Sequence, residues 1–142
     1  MGFDDEIGKA VRWDTPAVAA EDSLRNVMRA MVDNGTTAMV VRSGREVAGV
    51  VTDMDLLMAI AGNDDLDATK VSAIMTACQL IEGKAAKSPC VQLDAEESVK
   101  SAMGLMHRAG IRHLLIAAAG DTPAAVVSSL DLFRQALAPS RS

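Results

Sequence analysis

Aromatic residues are nearly absent: one tryptophan, two phenylalanines and no tyrosine make up 2% of the 142 residues. Since 49% of the chain is hydrophobic, its core must be filled by Ala, Val, Leu, Ile and Met. Nine methionines add adaptable packing for a core or a self-association surface. Cysteine is also scarce. Cys78 and Cys90, with eleven residues between them, match neither a disulfide scaffold nor a CxxC metal knuckle. Free thiols in a reducing cytosol are the favoured reading, with a redox-closed loop as the alternative. The two histidines, His107 and His113, have no second His or Cys at ligand spacing, which argues against zinc. Asp53, Asp55, Asp64 and Asp65 are too loosely spaced for a calcium loop. No apolar run approaches the roughly 18–20 residues that span a bilayer. The acidic start, MGFDDEIGKA, lacks the cationic and apolar regions of a secretory signal. A cytoplasmic protein with no membrane partner is therefore expected.

Charge excludes more. The formal net charge is −5, with both signs mixed along the chain. A nucleic-acid binder is expected to show a clustered positive field, so no nucleic-acid partner is predicted. Neither GxxxxGK[ST] nor GxGxxG occurs. A receiver domain would need an acidic pair after its first strand and regular βα alternation, whereas this chain plainly follows a two-unit repeat. No nucleophile–base set or metal site is visible, so the chain is not expected to be an enzyme.

What the chain does contain is a repeat. Residues 20–34, AEDSLRNVMRAMVDN, lie over residues 95–109, AEESVKSAMGLMHRA, at an offset of 75. Ser23 pairs with Ser98, Met28 with Met103, Met31 with Met106 and Gly35 with Gly110. GVVTDMDLL (49–57) then matches AVVSSLDLF (125–133) at an offset of 76. A one-residue insertion in a turn accounts for the change of offset, and such insertions cost little.

Both copies follow one order. A short apolar stretch, PAVAA (16–20) or PCVQL (89–93), precedes the N-cap signals Asp22-Ser23 and Glu97-Ser98. Leu24, Val27, Met28 and Met31 recur at helical spacing, and Gly35 and Gly110 sit where a helix ends in a left-handed residue. Two strands follow: TAMVV (37–41) and EVAGVVT (46–52) around Ser43-Gly44, or HLLIA (113–117) and AAVVS (124–128) around Gly120-Asp121. A second helix, DLLMAIAG (55–62) or DLFRQAL (131–137), completes the unit. The predicted fold class is α/β (α+β), two β-α-β-β-α repeats packed as a pseudo-twofold pair through their sheets. One copy alone has too little core to stand. The expected layout is an N-terminal segment and linker helix (1–14), repeat 1 (15–62), a linker helix and insertion loop (63–88), repeat 2 (89–138) and a tail (139–142). The stretch 76–88, TACQLIEGKAAKS, belongs to neither copy and reads as a loop with room for a little local structure.

Thr52 and Asp55 form T-x-x-D where a strand turns into a helix, and Ser128 and Asp131 repeat it. Two readings are open. Ser or Thr followed three residues later by an acid is close to a capping box, which only satisfies helix amides. Alternatively, the carboxylate accepts bonds from both vicinal hydroxyls of a ribose while the helix N-terminus favours a phosphate. Two further assignments are open. Trp13 reads as a packing anchor in preference to a stacking platform, and Met54, Leu57 and Met58 as either a dimer face or ordinary core.

A β-α-β-β-α repeat ending in G-V-V-T-x-x-D-L-L resembles the CBS domain, here in tandem as in a Bateman module. VSAIMT (71–76) is similar to the short linker helix leading into such a domain, with Asp14-Thr15-Pro16 at the end of its counterpart. The resemblance implies a homodimer and a regulatory, ligand-sensing role toward a separate, unidentified protein. It also implies binding of AMP, ADP, ATP or S-adenosylmethionine between the copies, and so favours the ribose reading. The rival is a ligand-free dimerisation or adaptor domain.

In this family the acid of one copy faces the strand after the first helix of the other. Asp55 would then face Arg112 and His113, and Asp131 would face Thr37, with Thr15 and Ser128 nearby. Arg112 offers a phosphate a fixed charge and several donors, and His113 a pH-dependent one. The Asp55 cleft is thus expected to take the phosphorylated ligand. Ala125 in place of Gly49 adds a methyl where backbone on the adenine side needs close approach, and Leu115 stands where the family often has proline. Both departures bear mainly on the Asp131 cleft.

Overall fold

The structure, a computed structural model, describes residues 2–77, 80–81, 84–85, 92–117 and 125–138. The fold is α+β, and the chain forms two units, Thr15–Cys90 and Met1–Asp14 joined with Val91–Ser142.

In the first unit, β1 (Val18–Ala19) leads to α1 (Leu24–Asn34), β2 (Ala38–Ser43), β3 (Glu46–Thr52) and α2 (Asp53–Ala61). Helix α1 starts where Ser23 Oγ accepts the Asn26 amide at 3.2 Å. It stops at Gly35, whose φ of 59° is a left-handed conformation that costs glycine little. Strand β2 runs parallel to β1 and antiparallel to β3, with Ala38 opposite Thr52. In the second unit, β7 (Gln92–Asp94), α3 (Val99–Ala109), β8 (His113–Ala117), β9 (Ala125–Ser128) and α4 (Ser129–Leu137) repeat this order. Its Ser98 cap on the Ser101 amide (3.0 Å) and its Gly110 at φ 67° are the same devices. Ser23→Ala or Ser98→Ala is expected to cost about 1 kcal/mol each, the usual loss of a helix cap. Urea midpoints would show it.

The cores match position by position. Leu24, Val27, Met31, Met39, Val41, Val51 and Leu56 are buried in the first unit. Val99, Ala102, Met106, Leu114, Ile116, Val127 and Leu132 are their counterparts in the second. Individual residues differ, but the buried positions are the same, and cores tolerate hydrophobic exchange when overall volume is kept.

The linker segments also pack in matching ways. A short 3-10 turn, Val71–Ala73, docks on the first unit. Its Val71 amide bonds the Asp22 carbonyl (2.8 Å), its Ser72 amide the Ala20 carbonyl (3.2 Å), and Val71 is fully buried. A second such turn, Ile7–Lys9, docks on the second unit through Ile7 to Glu97 (2.7 Å) and Gly8 to Ala95 (2.9 Å), with Ile7 fully buried. Ala20 and Asp22 correspond to Ala95 and Glu97, so residues 7–8 fill the place of 71–72. Trp13 packs half-buried against the second core, and its Nε1 donates to the Gly8 carbonyl at 3.0 Å.

In the stretch read as a loop with a little local structure, Thr76–Ala77 forms a two-residue strand, β4, along β3, with Val50 opposite Thr76 and Gly49 opposite Ala77. Farther on, β5 (Leu80–Ile81) and β6 (Lys84–Ala85) pair antiparallel. The Gly120-Asp121 turn, Cys78 and Cys90 lie outside the described residues. The Arg25 guanidinium forks onto Asp67 at 2.6 and 3.1 Å. That hydrogen bond holds the Asp67 carboxyl below the usual carboxylate range and raises Arg25. Both groups are exposed, so the pair is a surface fastening of α1. Among the described residues no helix is long and apolar enough to cross a membrane.

Candidate functional site

Each second helix begins in the same way. Thr52 is the N-cap of α2: its Oγ1 accepts the Asp55 amide at 3.2 Å, and Asp55 Oδ2 accepts the Thr52 amide at 2.9 Å. Ser128 and Asp131 form the same reciprocal pair at the start of α4, at 3.2 and 2.9 Å. The T-x-x-D motifs are therefore complete capping boxes. They fix each carboxylate at the N-terminal end of a helix, where a negative charge is stabilised.

Capping uses only one oxygen of each acid. For Asp55 the other, Oδ1, meets no partner among the described residues. Asp131 differs: its Oδ1 takes Arg134 Nη1 at 3.3 Å. The two acids are thus alike as caps and unlike as free acceptors.

The remaining predicted residues divide between the units. Thr15, Thr37, Thr52 and Asp55 belong to the first; Arg112, His113, Ser128 and Asp131 belong to the second. Within the first, the Asp53 amide donates to the Thr37 carbonyl at 2.9 Å, which holds the end of the α1–β2 turn against the start of α2. In the second, the Ser129 amide donates to the Arg112 carbonyl at 3.0 Å, and His113 stands opposite Ser128 in the β8–β9 register. Arg112 is exposed, and its guanidinium forms no ion pair among the described residues. Thr15 is half-buried in the bend before β1. No group of three or more His, Cys, Asp or Glu among the described residues is placed to hold a metal.

Gly49 has a structural explanation that sequence reasoning missed. A Cβ there would collide with the Thr76 carbonyl and lie 2.9 Å from Met75 Sδ. The glycine allows the close approach of β4. Ala125 stands at the corresponding place in a sheet that has three strands among the described residues. Arg134 was also missed, although its spacing from Asp131 is that of neighbours on one helix face.

A groove of about 430 Å³ runs between α1 and α2, with Met28, Met31, Val32, Leu56, Leu57 and Ile60 among its walls. Asp55 does not line it. Met54, Leu57 and Met58 are exposed, which excludes the core alternative for them; Leu130, Phe133 and Leu137 are exposed on α4.

Residues 7–62 match the family model of the CBS domain. No curated protein matches the chain. Among solved structures, an uncharacterized conserved protein from Pyrococcus horikoshii is similar at a TM-score of 0.79 and 17% identity, covering 100% of this chain and 99% of that one. A CBS-domain containing protein from Agrobacterium tumefaciens aligns at a TM-score of 0.74 and 19% identity, over 96% and 97% of the two chains. The CBS domain pair of protein MJ0100, solved in complex with 5'-methylthioadenosine and S-adenosyl-L-methionine, aligns at a TM-score of 0.68 and 14% identity, over 91% and 93%. One CBS domain is thus matched directly at residues 7–62, a second copy of the same unit follows it in the chain, and the fold is that of solved CBS-domain proteins over nearly the whole length.

Proposed function

We propose that this CBS pair is a cytoplasmic regulatory module that binds an adenine nucleotide (AMP, ADP or ATP) and signals to a separate protein. The observation that carries the reading is the Asp55 carboxylate. It is fixed by its cap through Oδ2, while Oδ1 remains open at a helix N-terminus. A ribose diol presents two hydroxyl donors to such an acceptor, and the first amides of α2 favour a phosphate. Arg112, exposed and without an acidic partner among the described residues, is the cation we assign to that phosphate, with His113 next to it in the chain. Thr52 completes this set. Ser128, Asp131, Thr37 and Thr15 would form the second set, where the cation beside the acid, Arg134, is paired with Asp131 itself.

Nucleotide binding regulates only if it favours one arrangement of repeats or subunits over another. The apolar faces of α2 and α4 suit a homodimer, since contiguous exposed hydrophobics on a soluble protein mark interaction surfaces. The same faces, together with complete capping boxes that need no ligand, favour a second reading: a dimerisation or adaptor domain that binds no nucleotide.

Thermal melts with AMP, ATP and S-adenosylmethionine separate the two. A binder gains about 2.7 kcal/mol at a hundredfold excess over its dissociation constant. An adaptor does not move. Calorimetry then assigns the site. Asp55→Ala is expected to weaken AMP about tenfold or more, the loss of one charge-assisted hydrogen bond. Asp131→Ala should change it little. Asp55→Asn, which keeps a capping oxygen but loses the charge, should resemble Asp55→Ala. Equal losses from Asp55→Ala and Asp131→Ala would refute the assignment.

A further inference from the structure

The two acids are copies of one device, yet only Asp131 has both oxygens engaged by the protein. Its Oδ2 accepts the Ser128 amide at 2.9 Å, and its Oδ1 accepts Arg134 Nη1 at 3.3 Å. Asp131 is itself tucked away, its side chain 14% exposed, whereas that of Arg134 is 64% exposed. In the first repeat the residue three positions beyond the acid is Met58, 68% exposed. A thioether has no N–H to donate, so nothing equivalent can close Asp55 Oδ1.

We infer that Arg134 is a specificity-determining latch: it occupies the acceptor that a ribose would need on Asp131 and biases ligand toward the first repeat's acid. The inference rests on the nucleotide reading above. It assigns the inequality of the two acids to one side chain on α4.

A ribose hydroxyl reaching Asp131 must displace the guanidinium or share the oxygen with it. The pair lies within one helix, and its cation is largely solvated. Such pairs are weak and screened by salt, so the latch should shift affinity by about twofold to fivefold rather than abolish binding. Arg134 also carries a charge that attracts phosphate, and that would mask the effect with AMP. Adenosine has the ribose without the phosphate and isolates it.

The test is calorimetry of adenosine on the full chain. In the Asp55→Asn background, which leaves the second repeat's acid as the intact one, adding Arg134→Met is expected to tighten adenosine about twofold to fivefold. Met58→Arg, which copies the latch onto the first repeat, is expected to weaken adenosine by a similar factor. Added sodium chloride should tighten binding to Asp55→Asn and leave the Asp55→Asn/Arg134→Met double variant unchanged, because adenosine is uncharged. If wild type binds adenosine but Arg134→Met tightens nothing, or weakens binding, the latch is overturned while the nucleotide reading stands. If adenosine and AMP bind to no variant and not to wild type, the nucleotide reading falls and takes the latch with it.

Discussion

Ile7→Ala is expected to destabilise the second unit by about 2–5 kcal/mol, the cost of truncating a fully buried aliphatic side chain. Ile7 lies far from that unit in sequence but is fully buried in its core, together with Val99, Leu114, Ile116, Val127 and Leu132. Main-chain hydrogen bonds hold the segment on both sides of it. The Gly2 amide reaches the Ala136 carbonyl at 2.8 Å, Lys100 reaches Phe3 at 2.9 Å, and Val99 reaches Asp5 at 2.8 Å. The Gln135 side chain adds a bond to Asp5 at 2.7 Å. Little slack remains for the core to collapse into the space, which places the cost within the usual range and not below it. Hydrogen exchange read by mass spectrometry would locate the damage. Protection should fall first in α3, β8 and α4. The mirror change, Val71→Ala, should lower protection first in α1 and β3. Loss confined to the first unit for Ile7→Ala, or a cost under about 1 kcal/mol, would contradict the docking described here.

Gly49→Ala is expected to cost about 1–3 kcal/mol, the penalty for forcing an extra methyl into a packed site. The new Cβ would meet the Thr76 carbonyl, with Thr76 C at 3.1 Å and Met75 Sδ at 2.9 Å. The thioether can turn aside, but the carbonyl is main chain paired in register with β3. Strand β4 therefore has to shift, and exchange of the Thr76 and Ala77 amides should quicken. The counterpart change, Ala125→Gly, creates no collision. It should cost only about 0.5–1 kcal/mol, the entropic burden of glycine within a strand. A Gly49→Ala protein with unchanged stability and unchanged exchange at Thr76 would show that β4 does not need the glycine.

Much of the local structure was legible because it is encoded locally. The caps at Ser23 and Ser98 and the left-handed Gly35 and Gly110 need only neighbouring residues, and both copies display them. The strands at 46–52 and 113–117 have the expected bounds. The second helices begin at Asp53 and Ser129, two residues before the expected starts at Asp55 and Asp131. Taking the acid as the first helical residue overlooked that Thr52 and Ser128 are the N-caps, which places the acid at the third helical position.

The candidate site was legible by position and only partly by state. Spacing marked Thr52, Asp55, Ser128 and Asp131, and both pairs form capping boxes. Which carboxylate oxygen stays open depends on the rotamer of Arg134, and a list of residues does not contain it. Met54, Leu57 and Met58 show the same limit: their helical spacing suited core and surface equally until burial separated them.

The sequence by itself determined the repeat, the order of elements in each copy and the residues that cap the helices, because these follow from periodicity and short-range hydrogen bonding. Tertiary structure alone decided that residues 2–13 complete the second unit and that residues 70–77 complete the first. Docking of a segment distant in sequence depends on complementary buried surface. Ile7 and Val71 are ordinary apolar residues in the chain, and only the folded core each enters distinguishes them.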